Sequence, residues 1–180
     1  MSGGFALEAN FRDVFFNESN SEVIFSIGYS SGLALDSQNF SAEFLNGVGR
    51  TVGVNYVTDD AKAFMEASGG DRTVVSMRTD PIQPTQTQVI KFLPDGFDGG
   101  SDGKTFDFDA RLAGNDWIVL RYADILLMHV EAIMGSSSET NAAAALASFQ
   151  QVRDRAGLTD AVSSITKDDL LAERLSLIHI

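Results

Sequence analysis

The chain of 180 residues contains no cysteine. Disulfides, thiolate metal sites and cysteine nucleophiles are therefore all excluded. Basic residues are scarce: 13 Lys and Arg face 25 Asp and Glu, for a net charge of −12. An acidic surface repels phosphate backbones, so nucleic acid is an unfavourable partner. Long apolar runs are missing too. The longest, 142–147, falls far short of the ~20 residues that span a bilayer. The start, Met1-Ser-Gly-Gly, has neither the basic nor the apolar region of a secretory leader. What remains is ordinary globular composition, 44% hydrophobic and 21% charged, which argues against disorder.

Periodicity organises this material. Leu7, Phe11, Val14 and Phe15 recur at helical spacing and predict a helix over 5–16. From Glu22 the period becomes two, with Val23, Phe25, Ile27 and Tyr29 alternating as in a strand. Residues 30–56 are rich in Ser, Gly and Asn, with scattered aromatics. A polar stretch of that length reads as a functional excursion. Thr58 is placed to cap a helix over 59–67. Strands are expected over 73–77 and 88–93, on either side of a turn at Pro81 and Pro84. Residues 94–109 are Asp- and Gly-rich loop.

Nearly every position over 117–134 is apolar, which predicts one helix buried between neighbours, stopped by Gly135. A second helix over 141–156 carries small alanines on one face and ends at Gly157. The short connection forces the two antiparallel. Thr166 and Asp169 resemble a capping box for a third helix. Such a hairpin is the unit of helical-repeat architecture and needs partner helices to bury its faces.

These residues resemble the SusD/RagB family. The run WIVLRYADILLMHVEA over 117–132, followed by FQQVRDRAGL over 149–158, is similar to the C-terminal half of that family. NSEVIFSI over 20–27 and the pair Asp71-Arg72 fit in the same order. Asp124 replaces the commoner Glu, and His129-Val130 stand where a small residue is preferred. After Glu173-Arg174 the chain departs from the family pattern. Its last six residues, 175–180, are those that a common sequencing adapter encodes in one frame, and are expected to be a non-native tail. The expected organisation is one SusD-like domain fragment over 1–174, cut at both ends. Within it, 1–110 forms a loop-rich ligand side and 111–174 the helical hairpin with the start of the next helix.

The resemblance implies a mainly α fold of tetratricopeptide-like hairpins, irregular loops and a few short strands. It further implies a lipoprotein on the outer face of the outer membrane, anchored through a lipid on its missing N-terminus. That protein would bind oligosaccharide, use no cofactor, and deliver its ligand to a SusC-type TonB-dependent transporter. The alternative is a cytosolic tetratricopeptide adaptor that binds peptides.

Sugar recognition needs flat apolar faces together with amide and carboxylate groups. The 28–56 stretch offers Tyr29, Asn39, Phe40, Asn46, Asn55 and Tyr56, with Tyr29 and Tyr56 foremost. Trp117, at the head of the long apolar run, reads as core, and His129 as packed within it. Arg121, Asp124 and Glu131 share that run, and with Arg153 or Arg155 of the facing helix they are expected to form structural ion pairs that hold the hairpin in register. No catalytic set is assembled: one histidine in an apolar helix makes no Ser-His-Asp triad. Asp98, Asp102 and Asp109 fall at positions 1, 5 and 12 of an EF-hand-like loop. Position 12 lacks Glu and no helices flank the loop, so solvated loop is the better reading and calcium the weaker one.

Overall fold

The computed structural model describes residues 4–30, 35–44, 55–80, 83–93 and 113–178. The aspartates 98, 102 and 109, as well as Asn46 and His179, lie outside them. The fold is mainly α. Among the described residues, none of the helices is long and apolar enough to cross a membrane.

The centre is a helical hairpin. Helix α4 (Tyr122–Met134) and helix α5 (Ala143–Arg155) pack along their lengths. Ala123, Leu126, Leu127 and Val130 of the first meet Ala145, Phe149 and Val152 of the second, all buried. The alanines keep the backbones close, as their spacing predicts. A two-residue ribbon, β5 (Glu139–Thr140) with β6 (Ile165–Thr166), brings helix α6 (Lys167–Ile178) back against α4. The box at its start closes reciprocally. The Asp169 carboxylate accepts from Thr166 N–H at 2.9 Å and from its hydroxyl at 2.6 Å, and Asp169 N–H donates to Thr166 Oγ1 at 3.1 Å. These bonds hold the Asp169 carboxyl below its ordinary pKa. Residues 175–178 continue α6, with Ser176 and Leu177 buried.

The run over 117–134 is not one helix. Its first five residues form strand β4 (Trp117–Arg121), antiparallel to β1 (Val23–Ile27). An apolar run satisfies either period. Here the β-branched Ile118 and Val119 and the exposed backbone of β1 favour the sheet. Helix begins only where the Asp124 carboxylate accepts from Arg121 N–H at 3.1 Å. Nor is α4 enclosed on all sides: Ile125, Met128, His129 and Ile133 are exposed, and His129 Nδ1 lies 2.9 Å from the Ser148 hydroxyl.

Two further expectations change. Helix α1 spans only Phe11–Phe16. Residues before it are drawn out along the segment leading into β1. Ala6 N–H donates to Ser21 O at 3.2 Å, the Glu8 carboxylate accepts from Ser21 N–H at 2.6 Å, and Glu8 N–H donates to Glu22 Oε2 at 2.9 Å. Those bonds outcompete a helical period carried by Leu7 alone. The expected strand over 73–77 is instead a short helix, α3 (Arg72–Ser76), followed by β2 (Met77–Thr79). One helical turn puts Arg72 and Ser76 inside and Val74 outside, whereas strand alternation would set all three on the same face.

Helix α2 (Asp59–Ser68) begins at the expected cap, with Ala61 N–H donating to Thr58 Oγ1 at 3.3 Å. Strand β3 (Thr87–Val89) pairs with β2. Val57, Met65, Met77 and Val89 make a second, smaller core, onto which Phe44 and Phe92 pack.

Candidate functional site

The β1–β4 ribbon sets Ile27 opposite Trp117, so the end of one strand and the start of the other share one edge of the molecule. Asp116 fixes that end. Its carboxylate accepts from the Ser26 hydroxyl at 2.8 Å and from Tyr29 N–H at 3.2 Å. Glu18 lies close by, and burial together with the Asp116 charge raises its pKa.

A 3-10 turn (Phe40–Phe44) is docked against the same edge. Gln38 and Ala113 exchange backbone hydrogen bonds at 2.9 and 3.1 Å. The Asn115 carbonyl accepts from Gln38 Nε2 at 2.6 Å, and its amide donates to Phe92 O at 3.1 Å. The Ser41 hydroxyl donates to the same Phe92 oxygen at 2.5 Å. The side-chain amides of Gln38 and Asn115 thus hold segments that are far apart in sequence.

The product is a continuous set of rings. Tyr29 meets Phe40 edge-on at 6.2 Å, and Phe40 meets Trp117 edge-on at 5.0 Å. Trp117 stacks on Phe92 at 5.6 Å with the planes 18° apart, and Phe92 lies 5.0 Å from Phe44. Trp117 is 39% exposed, which corrects its reading as core. It opens a strand at the rim rather than heading a buried helix. Beside it is a cavity of about 440 Å³, bounded by Phe15, Lys91, Phe92, Trp117, Arg121 and Met128, among others.

The expected ligand residues divide. Tyr29 and Phe40 enter the ring set, and Asn39 is exposed beside Phe40. Asn55 and Tyr56 are exposed at the approach to α2, where Val57 N–H donates to Thr87 O at 2.9 Å. Among the described residues, no ring contact joins Tyr56 to the others. Trp117 and Phe92 were not expected in the site. The alternation of large and β-branched residues at the head of the apolar run was the available signal for the first.

The charged residues serve the frame; Asp124 takes the expected partner Arg121, and the other residues take different ones. Asp124 pairs with Arg121 on its own segment at 3.2 Å, and Glu131 pairs with Arg174 of α6 at 2.6 Å. Arg153 reaches Glu173 of α6 at 3.5 Å, and Arg155 reaches Glu22 at 2.7 Å. None of these carboxylates bonds across the α4–α5 seam. Arg72, fully buried, donates to Glu173 at 2.5 Å and to the Ser176 hydroxyl. Burial lowers the pKa of Arg72 and Arg155, while Glu173 and Glu22 oppose that shift. Among the described residues, no group of three or more acidic or histidine side chains is placed to hold a metal.

The architecture is that of a helical-hairpin protein with a loop-borne aromatic rim. Residues 53–177 match the sequence profile of the SusD family, and the chain belongs to that family. A SusD-like protein of Bacteroides ovatus is 36% identical over 90 residues, which are 50% of this chain and 16% of that protein. A crystal structure with xylogluco-oligosaccharide is 26% identical. It superposes at a TM-score of 0.76 over 97% of this chain and 39% of its own. A laminarin-binding SusD-like protein shares the fold at 18% identity, TM-score 0.71, over 97% of this chain and 43% of its own. The chain thus spans about two fifths of the solved relatives' length.

Proposed function

We propose that this chain carries the glycan-holding side of a cell-surface nutrient-binding subunit. It binds oligosaccharide without transforming it. In the full assembly it is a lipid-anchored outer-membrane protein that passes its ligand to a SusC-type TonB-dependent transporter. The observation that carries the reading is the ring set at the ribbon's end, with a partly exposed Trp117 between Phe40 and Phe92 and the Asn39 amide nearby. Pyranose rings present flat C–H faces that pack on aromatic rings, and their hydroxyls need amides and carboxylates. Family membership, the similar structure with xylogluco-oligosaccharide and the laminarin-binding SusD-like protein support the same class of ligand.

The test is affinity electrophoresis in gels containing xyloglucan or laminarin. Wild-type protein is retarded, and Trp117→Ala with Tyr29→Ala lowers the apparent affinity by about tenfold, the loss of roughly 1.4 kcal/mol of ring contact. Tyr56→Ala has a smaller effect, because Tyr56 stands apart from the ring set. Equal retardation of wild type and the double variant would remove the site.

A further inference from the structure

The two residues that precede Trp117 make the bonds on which the ring set depends. Ile27 and Trp117 are the last pair of the β1–β4 ladder. Beyond it, the Tyr29 N–H finds its acceptor in the Asp116 carboxylate at 3.2 Å, whose other oxygen accepts from the Ser26 hydroxyl at 2.8 Å. A carboxylate accepts only, takes two donors at once, and binds them more strongly than a neutral group does. Asp116 thus adds one side-chain rung to the ribbon, and that rung carries Tyr29. Asn115 serves the other side. Its carbonyl accepts from Gln38 Nε2 at 2.6 Å, and its amide donates to Phe92 O at 3.1 Å. Gln38 in turn accepts from Ser41 N–H at 3.2 Å, which closes the bonds around Phe40.

Apolar packing does not do this work. Among the described residues, Tyr29, Phe40 and Trp117 belong to neither of the two buried apolar cores. They meet one another edge-on, at 6.2 and 5.0 Å between ring centres. Such contacts tolerate a range of separations, so the ring spacing follows the backbone that carries it. Gln38 and Ser41, by contrast, are buried with their partners in place. A satisfied buried polar network holds one geometry rather than several. A ligand that meets rings already fixed does not have to order them, and it binds more tightly for that reason.

We propose that Asn115 and Asp116 are positioning residues for glycan binding. Asp116 sets Tyr29, and Asn115 sets Phe40 and Phe92, each against Trp117, while neither side chain touches the sugar. This role rests on the glycan-binding reading and deepens it: affinity is controlled by two side chains that lie outside the ring set.

Affinity gels of xyloglucan and of laminarin compare wild type with Asp116→Ala, Asp116→Asn and Asn115→Asp. The urea midpoint is measured for each, with the near-UV circular dichroism of Trp117, the chain's single tryptophan. Asp116→Ala lowers the affinity of folded protein about tenfold and weakens the tryptophan band, since Tyr29 is no longer fixed before binding. Asp116→Asn recovers most of both, because its carbonyl accepts from Tyr29 N–H and its amide donates to the Ser26 hydroxyl. Asn115→Asp keeps the acceptor for Gln38 but sets a carboxylate against the Phe92 carbonyl. Its affinity falls too, and returns in acid, where the protonated carboxyl donates. Undiminished affinity of Asp116→Ala or of Asn115→Asp overturns the role, and so does a loss that Asp116→Asn shares in full. Should Asp116→Ala not fold, Ser26→Ala removes one of its two bonds, with about a threefold loss expected and no loss overturning the role. If wild type is retarded and the variants equal it, the positioning role alone falls. If neither gel retards wild type, the glycan reading falls and the role falls with it.

Discussion

Glu22 and Arg155 meet at 2.7 Å across 133 positions of sequence, with side chains 0% and 3% exposed. This contact ties the base of the β1–β4 ribbon to the last turn of α5. The Arg155 guanidinium also lies over Phe11, 5.0 Å from the ring centre, which draws α1 into the same junction. Replacing Glu22 with Gln strands a buried guanidinium, and the expected loss is about 3–5 kcal/mol in urea unfolding. The double variant Glu22→Leu with Arg155→Met should lose less than the sum of the single changes. A double-mutant cycle measures that difference.

Lys91 gives stability a pH dependence with a definite sign. Burial, reinforced by the Arg121 charge, pushes its pKa down from 10.5 to about 7. Between those values the unfolded chain binds a proton that the folded chain does not, so stability rises with pH across that window. Below about pH 7 both states carry the charge and the full penalty remains. Lys91→Met should therefore stabilise the protein most at pH 6, with the advantage fading towards pH 10. Urea midpoints of both proteins at pH 6, 8 and 10 measure it.

Gly70 has φ +57°, and a Cβ there would stand 2.1 Å from the Ala156 carbonyl oxygen. That oxygen also accepts from Asp71 N–H at 2.9 Å, so the backbone cannot give way without losing a bond. Gly157 has φ +75°, but its nearest obstacle is the carboxylate of Asp71 at 3.0 Å, a side chain that can turn aside. Gly157→Ala is expected to cost about 1–2 kcal/mol from the left-handed backbone alone. Gly70→Ala should cost clearly more. Thermal melts of the two variants rank them.

At Thr166 the prediction concerns a helix end. Thr166→Ala removes both the acceptor for Asp169 N–H and the hydroxyl that bonds its carboxylate, and is expected to cost about 1 kcal/mol. The loss should shrink in acid. The Asp169 pKa is lowered in the fold, so its contribution is present above the unfolded value and disappears as pH falls through the folded one. Chemical unfolding at pH 7 and pH 3 makes the comparison.

Local signals were read well where one residue decides the outcome. Thr58, Thr166 with Asp169, and Gly157 each mark a helix end through a bond or dihedral that the residue itself supplies. The α4–α5 hairpin followed from two helical periods joined by a short connection. Signals failed where the partner lies far along the chain. Whether Trp117 starts a helix or a strand depends on β1, some ninety positions earlier. Whether residues before Phe11 coil depends on Ser21 and Glu22. The rim shows the same division. Tyr29 and Phe40 were legible as aromatics in a polar stretch, whereas Phe92 and Trp117 became visible only once the ribbon had brought them together.

The β1–β4 ribbon has an evolutionary consequence. The chain leaves it at Ile27 and re-enters at Trp117, and the described residues between are tied back to the helices at points such as Arg72 with Glu173 and Asp71 N–H with the Ala156 carbonyl. Once both ends of such a segment are clamped, doubling its length costs only about 0.6 kcal/mol in closure entropy. Insertions, deletions and rewritten side chains can accumulate there while the hairpin that shapes the domain stays intact. Ligand preference can thus change within a lineage without the scaffold being redesigned.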